Sequence, residues 1–510
     1  EKMKFLALSL AILAVMALSV SAQNGLCDFC GPFEVTADSL PSYVGPNPFP
    51  FKSYSGYVVA NTTGERNIFY WMVESQSEHP EQDPLVFWYQ GGPGCSGLGG
   101  LFTEHGPFRV NEDGNVELAQ FSWNEIANVV YLEQPCGVGF SYQGPDDEGR
   151  YESNDRQAAM DNAGFIEGFL QAHPEYVGRE TWLAGESYGG VYVPTLAAQI
   201  LSNISYTVNP QLVGFMVGNP VFSCDTIKAT NNDITMNIFY QRGLISYVSY
   251  SDWVNNGCSE NENADGCSKI YTDARRSVGG IAQEIGSFSF NGTQPAVDSD
   301  CLYQDFIIEN TTLQWMLSLE QPGEVTIDEL TQDYLNRADV QQAIGAHPPH
   351  TGTWSICGGI ILYGQSFDSM IPYYQYVMKT RPGFHILVYS GDTDIDTVPA
   401  PPTEICLAEL MATPVSGRTW QPWFVNGATG GYVEVFDTYT YATVKGAGHT
   451  VPQYQPLTAY NMYSRYLTKQ NLDGGEVYFP SSSPQPKKRL RQSDMLREHG
   501  VGMAKYFPKN

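Results

Sequence analysis

The chain reads as an α/β protein, with a mostly parallel central sheet, helices on both faces and an inserted, mainly helical cap. Three observations carry this. Short runs dense in Val, Leu and aromatics recur along the sequence, as strands buried on both faces require. Stretches with helical spacing separate them. Composition removes the main alternatives. Of 510 residues, 42% are apolar and 13% aromatic, enough for a large core and too many for a disordered chain. With 50 Gly, 32 Pro and only 16% charged residues, a coiled coil is not expected. The net charge of -28 offers no basic footprint for nucleic acid and suits an acidic compartment, where many carboxylates are protonated.

In chain order, residues 1–22 have the plan of a secretory signal peptide. Lys2 and Lys4 precede the uncharged run Phe5 to Val20, and Ser21-Ala22 supplies small cleavage-site residues. Met3 reads as the initiator. The run is shorter than the roughly 20 residues of a membrane span, so an uncleaved anchor is the lesser reading. No later stretch is apolar enough to cross a bilayer, so no membrane contact is expected after cleavage. All 10 Cys follow Ala22, an even count that fits disulfides in an oxidising compartment. Cys27-x-x-Cys30 has no matching second pair, so zinc is not expected. Sequons at Asn61, Asn203, Asn291 and Asn310 point to glycosylation.

Residues 23–220 read as the first part of the core. Lys52 to Ala60 and Asn67 to Val73 form a leading antiparallel pair, followed by strands at Leu85 to Tyr89, Asn128 to Glu133, Thr181 to Glu186 and Leu212 to Gly218. Helical periodicity runs from Asp155 to Gln171 and stops before His173-Pro174. Residues 221–349 lose the strand signal and read as the cap. The core resumes over 350–475, with a strand at His385 to Ser390, and a flexible basic tail over 476–510 carries Lys487, Lys488, Arg489 and Arg491. Within the cap, Cys258 and Cys267 enclose a polar, Gly-containing stretch that closes easily into a local disulfide loop.

The strongest chemical signal is Gly185-Glu186-Ser187-Tyr188-Gly189, placed between a strand and the helical run Val193 to Leu201. That context makes Ser187 the candidate nucleophile, lifted off the sheet on a strained turn. A hydroxyl needs a base to take its proton. His449, in the glycine-flanked Gly446 to Pro452 loop, fits that need; the other seven His lack such a setting. An acidic loop after the strand ending at Ser390 offers Asp392, Asp394 and Asp396 as orienting acids, giving the chain order Ser, Asp, His. The glycine-rich turn Gln90 to Gly97 lacks the GK[ST] of a phosphate loop. After a strand in a serine hydrolase it supplies an oxyanion-hole N–H, the second coming from Tyr188.

Taken together, the chain resembles the serine carboxypeptidase family. The resemblance rests on GGPGCSG at Gly91 to Gly97, EHGPF at Glu104 to Phe108, EQPCGVGFSY at Glu133 to Tyr142, GESYGG at Gly185 to Gly190, SGDTD at Ser390 to Asp394, and GAGHTVP at Gly446 to Pro452. It implies an α/β-hydrolase core and removal of a C-terminal residue from peptides at acid pH, without metal or organic cofactor. It assigns the nucleophile to Ser187, the base to His449, the orienting acid to Asp394 and the oxyanion N–H groups to Gly92 and Tyr188. Asp392 and Asp396 are then structural or solvated. The substrate carboxylate falls to Gln90, Glu104 and Glu186, and Cys95 pairs with Cys357. Two carboxyls at such a site imply a shared proton and binding that weakens as pH rises. The substrate partners are peptide or protein C-termini, a homodimer is compatible, and the destination is the exterior or a lysosome or vacuole.

Three features depart from the family pattern. Gln90 stands where Asn is usual and extends the amide roughly 1.5 Å. Cys136 stands where a small or apolar residue is common, either a disulfide half or a thiol. The basic tail has no family counterpart. The competing functions are an acyltransferase, in which a hydroxyl acceptor resolves the acyl-enzyme, and a protective binding protein on the same fold.

Overall fold

The structure is a computed structural model describing residues 31–60, 66–144, 151–202, 207–224, 232–262, 264–277, 326–346, 353–357, 361–395 and 397–474. The signal segment, the four sequons, Cys27, Cys30, Cys301, Asp396 and the basic tail lie outside the described residues.

A 12-stranded sheet forms the centre. The leading strands β1 (Phe33–Glu34), β2 (Ser53–Val59) and β3 (Arg66–Val73) run antiparallel. Next in sequence come β4 (Leu85–Tyr89), the small ladder of β5 (Phe108–Val110) and β6 (Val116–Leu118), and then β7 (Asn128–Leu132). β8 (Tyr142–Gln143) pairs with β3, and β9 (Tyr151–Asn154) precedes helix α1 (Asp155–Ala172). β10 (Glu180–Glu186), helix α2 (Gly189–Ser202) and β11 (Gln211–Gly218) complete the first half.

The second half supplies β12 (Ile361–Gly364), which pairs with β9, then β13 (His385–Gly391) and the closing strands β14 (Gln421–Val425), β15 (Ala428–Val435) and β16 (Thr440–Val444). Spatial order is β1-β2-β3-β7-β4-β10-β11-β13-β16-β15-β14. The six strands from β7 to β16 in that order are mutually parallel, and antiparallel strands flank them on both sides.

Side-chain alternation explains why the central strands are apolar throughout. In β4, Leu85, Phe87 and Tyr89 enter one core cluster, while Val86 and Trp88 enter the cluster on the opposite face. Helix α1 covers the first face with Phe165, Ile166, Phe169 and Leu170. Each such side chain, removed from water, contributes about 1.5–3 kcal/mol. Asn154 starts α1 by accepting hydrogen bonds from the Arg156 and Gln157 N–H groups, and the helix stops at Ala172 ahead of Pro174.

The described residues of the stretch 221–349 divide into two packing units. Helices α3 (Asn232–Gln241), α4 (Tyr247–Asn255) and α5 (Cys267–Ser277) surround a small core of their own, built on Met236, Phe239, Trp253 and the Cys258–Cys267 disulfide. Helices α6 (Ile327–Leu335) and α7 (Ala338–Ala343) instead send Tyr334, Leu335 and Val340 into the main core on the sheet's second face. A disulfide between Cys224 and Cys406, 182 residues apart, ties the root of this stretch to helix α9 (Ala400–Ala408), which follows α8 (Ile371–Thr380). Cys136 is buried in the first-face core. Among the described residues no helix is long and apolar enough to cross a membrane.

Candidate active site

Ser187 occupies the turn between β10 and α2 with φ 55°, a left-handed conformation that costs a residue with a side chain about 1–2 kcal/mol. Its backbone is held from both sides. The Ser187 N–H donates to the Gly218 carbonyl at 3.0 Å, and its carbonyl accepts from Val221 at 2.7 Å and Gly190 at 2.9 Å. The glycine run after β4 presses against this turn. A Cβ on Gly91 would lie 2.6 Å from the Ser187 Cβ and 2.8 Å from the Tyr188 nitrogen, so only glycine fits. That contact brings the loop carrying Gly92 beside Ser187 and Tyr188.

The candidate acid and base follow two further parallel strands of the sheet, beyond β11. Asp394 follows β13, and His449 lies in the loop after β16, the strand parallel to it. His449 Nδ1 lies 2.7 Å from Asp394 Oδ2. An ionised carboxylate only accepts, so Nδ1 carries the proton and Nε2 holds the lone pair. Nε2 is buried and makes no hydrogen bond among the described residues. Three further donors fix Asp394: Asn219 Nδ2 at 2.8 Å, and the Thr397 and Val398 N–H groups at 3.1 Å each.

Asn219 has no role in the sequence reading. It follows β11 with φ 37°, a left-handed position that Asn tolerates better than most residues. Its N–H donates to Tyr389, its Oδ1 accepts from Gly391, and its Nδ2 holds Asp394. The available sequence signal is an Asn-Pro directly after a buried strand, which marks a turn.

The loop from Gln90 to Gly97 is anchored by a buried carboxyl also absent from the initial site assignment. Glu133, one residue past β7, accepts from Ser96 Oγ at 2.6 Å, Trp354 Nε1 at 2.6 Å and the Phe140 N–H at 2.5 Å. Burial pushes its carboxyl up to about 7. The neighbouring Cys95 is bonded to Cys357, with a Cα–Cα distance of 4.2 Å. On the other side of the elbow, Asp155 accepts from the Tyr188 hydroxyl at 2.8 Å and the Tyr363 hydroxyl at 3.0 Å.

Gln90, Glu104 and Glu186 meet in a second buried cluster. Trp88 Nε1 donates to Gln90 Oε1 at 2.7 Å, which sets the orientation of the amide. Gln90 Nε2 then donates to Glu104 at 2.9 Å and to Glu186 at 2.7 Å. Glu104 Oε2 is buried and receives no donor among the described residues, while the Glu104 and Glu186 carboxyls hydrogen-bond to each other. The nearby Arg109 guanidinium donates to the main-chain carbonyls of Glu104, Gly106 and Phe108, and its charge is attracted to the Glu104 carboxyl. Burial raises both carboxyls above the ordinary range, and for Glu186 the neighbouring Glu104 charge adds to it. The Glu104–Glu186 pair therefore retains a proton in conditions where a surface glutamate has lost it.

The structure thus gathers Ser187, His449 and Asp394 at one end of the sheet, with Gly92, Tyr188 and the Gln90 cluster beside them. Among the described residues no group of His, Cys, Asp and Glu is arranged to hold a metal ion. The family model for serine carboxypeptidases matches residues 41–469. The chain belongs to the serine carboxypeptidase family.

Relatives within the family include serine carboxypeptidase 24 of Arabidopsis thaliana, 33% identical, with 86% of this chain and 94% of that protein covered. Serine carboxypeptidase 1 of Hordeum vulgare is 32% identical over 86% of this chain and 93% of its own length. Among solved structures, a prohormone-processing carboxypeptidase from Saccharomyces cerevisiae superposes with a TM-score of 0.62 at 19% identity, covering 86% of this chain and 95% of that one. That likeness concerns the fold, an α/β-hydrolase. The residues matched by the family model include the stretch 221–349.

Proposed function

We propose that this serine carboxypeptidase family member releases single C-terminal residues from peptides at acid pH, through an acyl-enzyme on Ser187. The supporting observation is the pairing of a hydrolytic triad with a proton-holding carboxyl pair, one of whose members, Glu186, immediately precedes the nucleophile. His449 Nε2 takes the Ser187 Oγ proton as Oγ attacks the scissile carbonyl carbon. The carbonyl π electrons move to oxygen, and the resulting oxyanion accepts hydrogen bonds from the Gly92 and Tyr188 N–H groups. Collapse breaks the C–N bond, and the imidazolium returns its proton to the departing amino acid. Water, deprotonated by His449, then attacks the ester carbonyl; Oγ leaves and recovers a proton. Asp394 orients and steadies the imidazolium.

Glu104 and Glu186 give this chemistry its exopeptidase character. An ionised pair would repel a terminal carboxylate, whereas a protonated carboxyl donates a hydrogen bond to it. Gln90 bridges the pair and keeps the two acids close enough to share a proton. The secretory reading, toward the exterior, a lysosome or a vacuole, is supported by three disulfides among the described residues.

The test uses matched N-blocked dipeptides with free and amidated C-termini, together with acyl esters offered hydroxyl acceptors. Release of the last amino acid from the free acid, with the amide turned over at least tenfold more slowly at acid pH, is expected. Equal turnover of both dipeptides, or faster transfer to a hydroxyl acceptor than to water, would overturn the reading.

A further inference from the structure

The loop that carries Asp394 is held from two directions. On the sheet side, the Asp392 N–H donates to the Val444 carbonyl at 3.1 Å, and the Thr393 N–H donates to the Ala447 carbonyl at 3.0 Å. The Asp392 carboxylate accepts the Gly446 N–H at 2.7 Å. These three bonds lash the acid loop to the loop that carries His449. On the cap side, Ile395, the residue after Asp394, is buried in the small core of α3, α4 and α5 with Met236, Phe239 and Trp253. Arg242, one residue beyond α3, donates from Nη2 to the Asp392 carbonyl at 2.7 Å.

We infer that the α3–α5 cap unit positions the triad acid: Ile395 keys the acid loop into the cap core, and Arg242 clasps the same loop from above. Asp392 passes that placement on to the base loop. Ile395, Arg242 and Asp392 are thus positioning residues, with no contact to the reacting atoms implied. A side chain buried in the cap immediately after Asp394 leaves the carboxylate little freedom to move independently of the cap. The charged groups facing Asp392 are Arg242 on the cap and Lys445 on the base loop, both of which favour its ionised form, while burial opposes it.

The sequence pattern supports the same division of labour. The Ser390 to Asp396 loop is polar apart from Ile395 and the glycine, so one apolar residue among acids has a specific destination. Truncating that residue leaves a void where cap and loop meet and releases the loop toward the sheet. Displacement of an acid or base by as little as 1 Å lowers turnover by up to about 100-fold. Ground-state binding of the peptide, made by the Gln90 cluster on the other side of the elbow, does not pass through this loop.

The inference rests on the triad reading proposed above. The experiment measures kcat, KM and the second-order rate of Ser187 phosphonylation by a fluorophosphonate, in the full chain and its Ile395→Ala, Ile395→Val and Arg242→Ala variants. Wild-type protein that takes no phosphonate would defeat the triad reading itself, separately from the cap claim. Ile395→Ala is expected to lower kcat and the phosphonylation rate about 10- to 100-fold with KM within about twofold. Ile395→Val should recover most of both, and Arg242→Ala should lower both by about two- to fivefold. Thermal melting separates local misplacement from unfolding. If Ile395→Ala does not fold, the two milder variants carry the test by the same readouts. A folded Ile395→Ala or Arg242→Ala with wild-type kcat and phosphonylation rate overturns the inference, as does a change confined to KM.

Discussion

Two buried acid clusters lie on either side of the Ser187 turn, and they are built in opposite ways. Asp394 receives four donors, from His449, Asn219, Thr397 and Val398. Glu104 and Glu186 share a single amide donor and a hydrogen bond with each other. The residue types are nearly the same, yet the first setting compensates a negative charge and the second leaves it uncompensated. On the proposed mechanism, the donor-rich carboxylate steadies a cation during the reaction, and the donor-poor pair keeps a proton to donate to a substrate. Environment, more than identity, divides the roles.

The largest expected effect strikes the donor-rich side. Ser187→Ala should reduce kcat by at least about 10⁴-fold while the protein keeps its melting temperature. Asp394→Asn should come close, at about 10³- to 10⁴-fold, because the amide presents a donor to Nδ1 and disfavours the productive tautomer. Steady-state turnover of a blocked dipeptide, with circular dichroism to check folding, decides both. Wild-type turnover in either folded variant would remove the contrast.

A smaller effect tests Asn219. Asn219→Ala deletes a donor to Asp394 and an acceptor for Gly391, so kcat should fall about 10- to 100-fold with little change in KM. Asn219→Asp should do no better, since it sets a second carboxylate against Asp394. Recovery of full activity in Asn219→Asp would show that only the turn conformation matters there.

The smallest effect concerns stability. The Glu104 and Glu186 carboxyls are raised in the folded chain relative to the unfolded one, so the folded state binds more protons as pH rises past the ordinary carboxylate range. Stability contributed by that pair is therefore full at acid pH and falls as pH climbs through the raised values. Glu186→Gln should melt a few degrees higher than wild type near neutrality, with the difference vanishing below about pH 4. Glu133 and Asp155 are raised by burial as well and remain in both proteins, so the comparison isolates the pair.

The parallel strands were legible because burial on both faces demands uninterrupted apolar runs, as in Leu85 to Tyr89, and the first long helix was legible from its spacing and the proline that ends it. Ser187 and His449 stood out because glycines frame them locally. Asp394 could not be separated from its acidic neighbours by local chemistry, and only the family pattern selected it. Asn219 was invisible for a different reason: its partner Asp394 is 175 residues away, and nothing in a turn sequence states what it will face. The Cys224–Cys406 bond was hidden in the same way. Helices α6 and α7 were read with the cap because the stretch 221–349 lacks strand signal, which does not reveal which core receives a helix.

The central claim is that one buried carboxyl pair, by holding a proton, makes a general serine hydrolase site select free C-termini. The direct measurement is kcat/KM against pH for a blocked dipeptide and for its ester lacking a free carboxylate, in wild type and in the Glu104→Gln, Glu186→Gln double variant. Peptide hydrolysis should fall from acid to neutral pH through a rise in KM, while ester hydrolysis does not show that fall. In the double variant the two profiles should run parallel. Peptide and ester profiles that already coincide in wild type, and do not change in the double variant, would contradict the account.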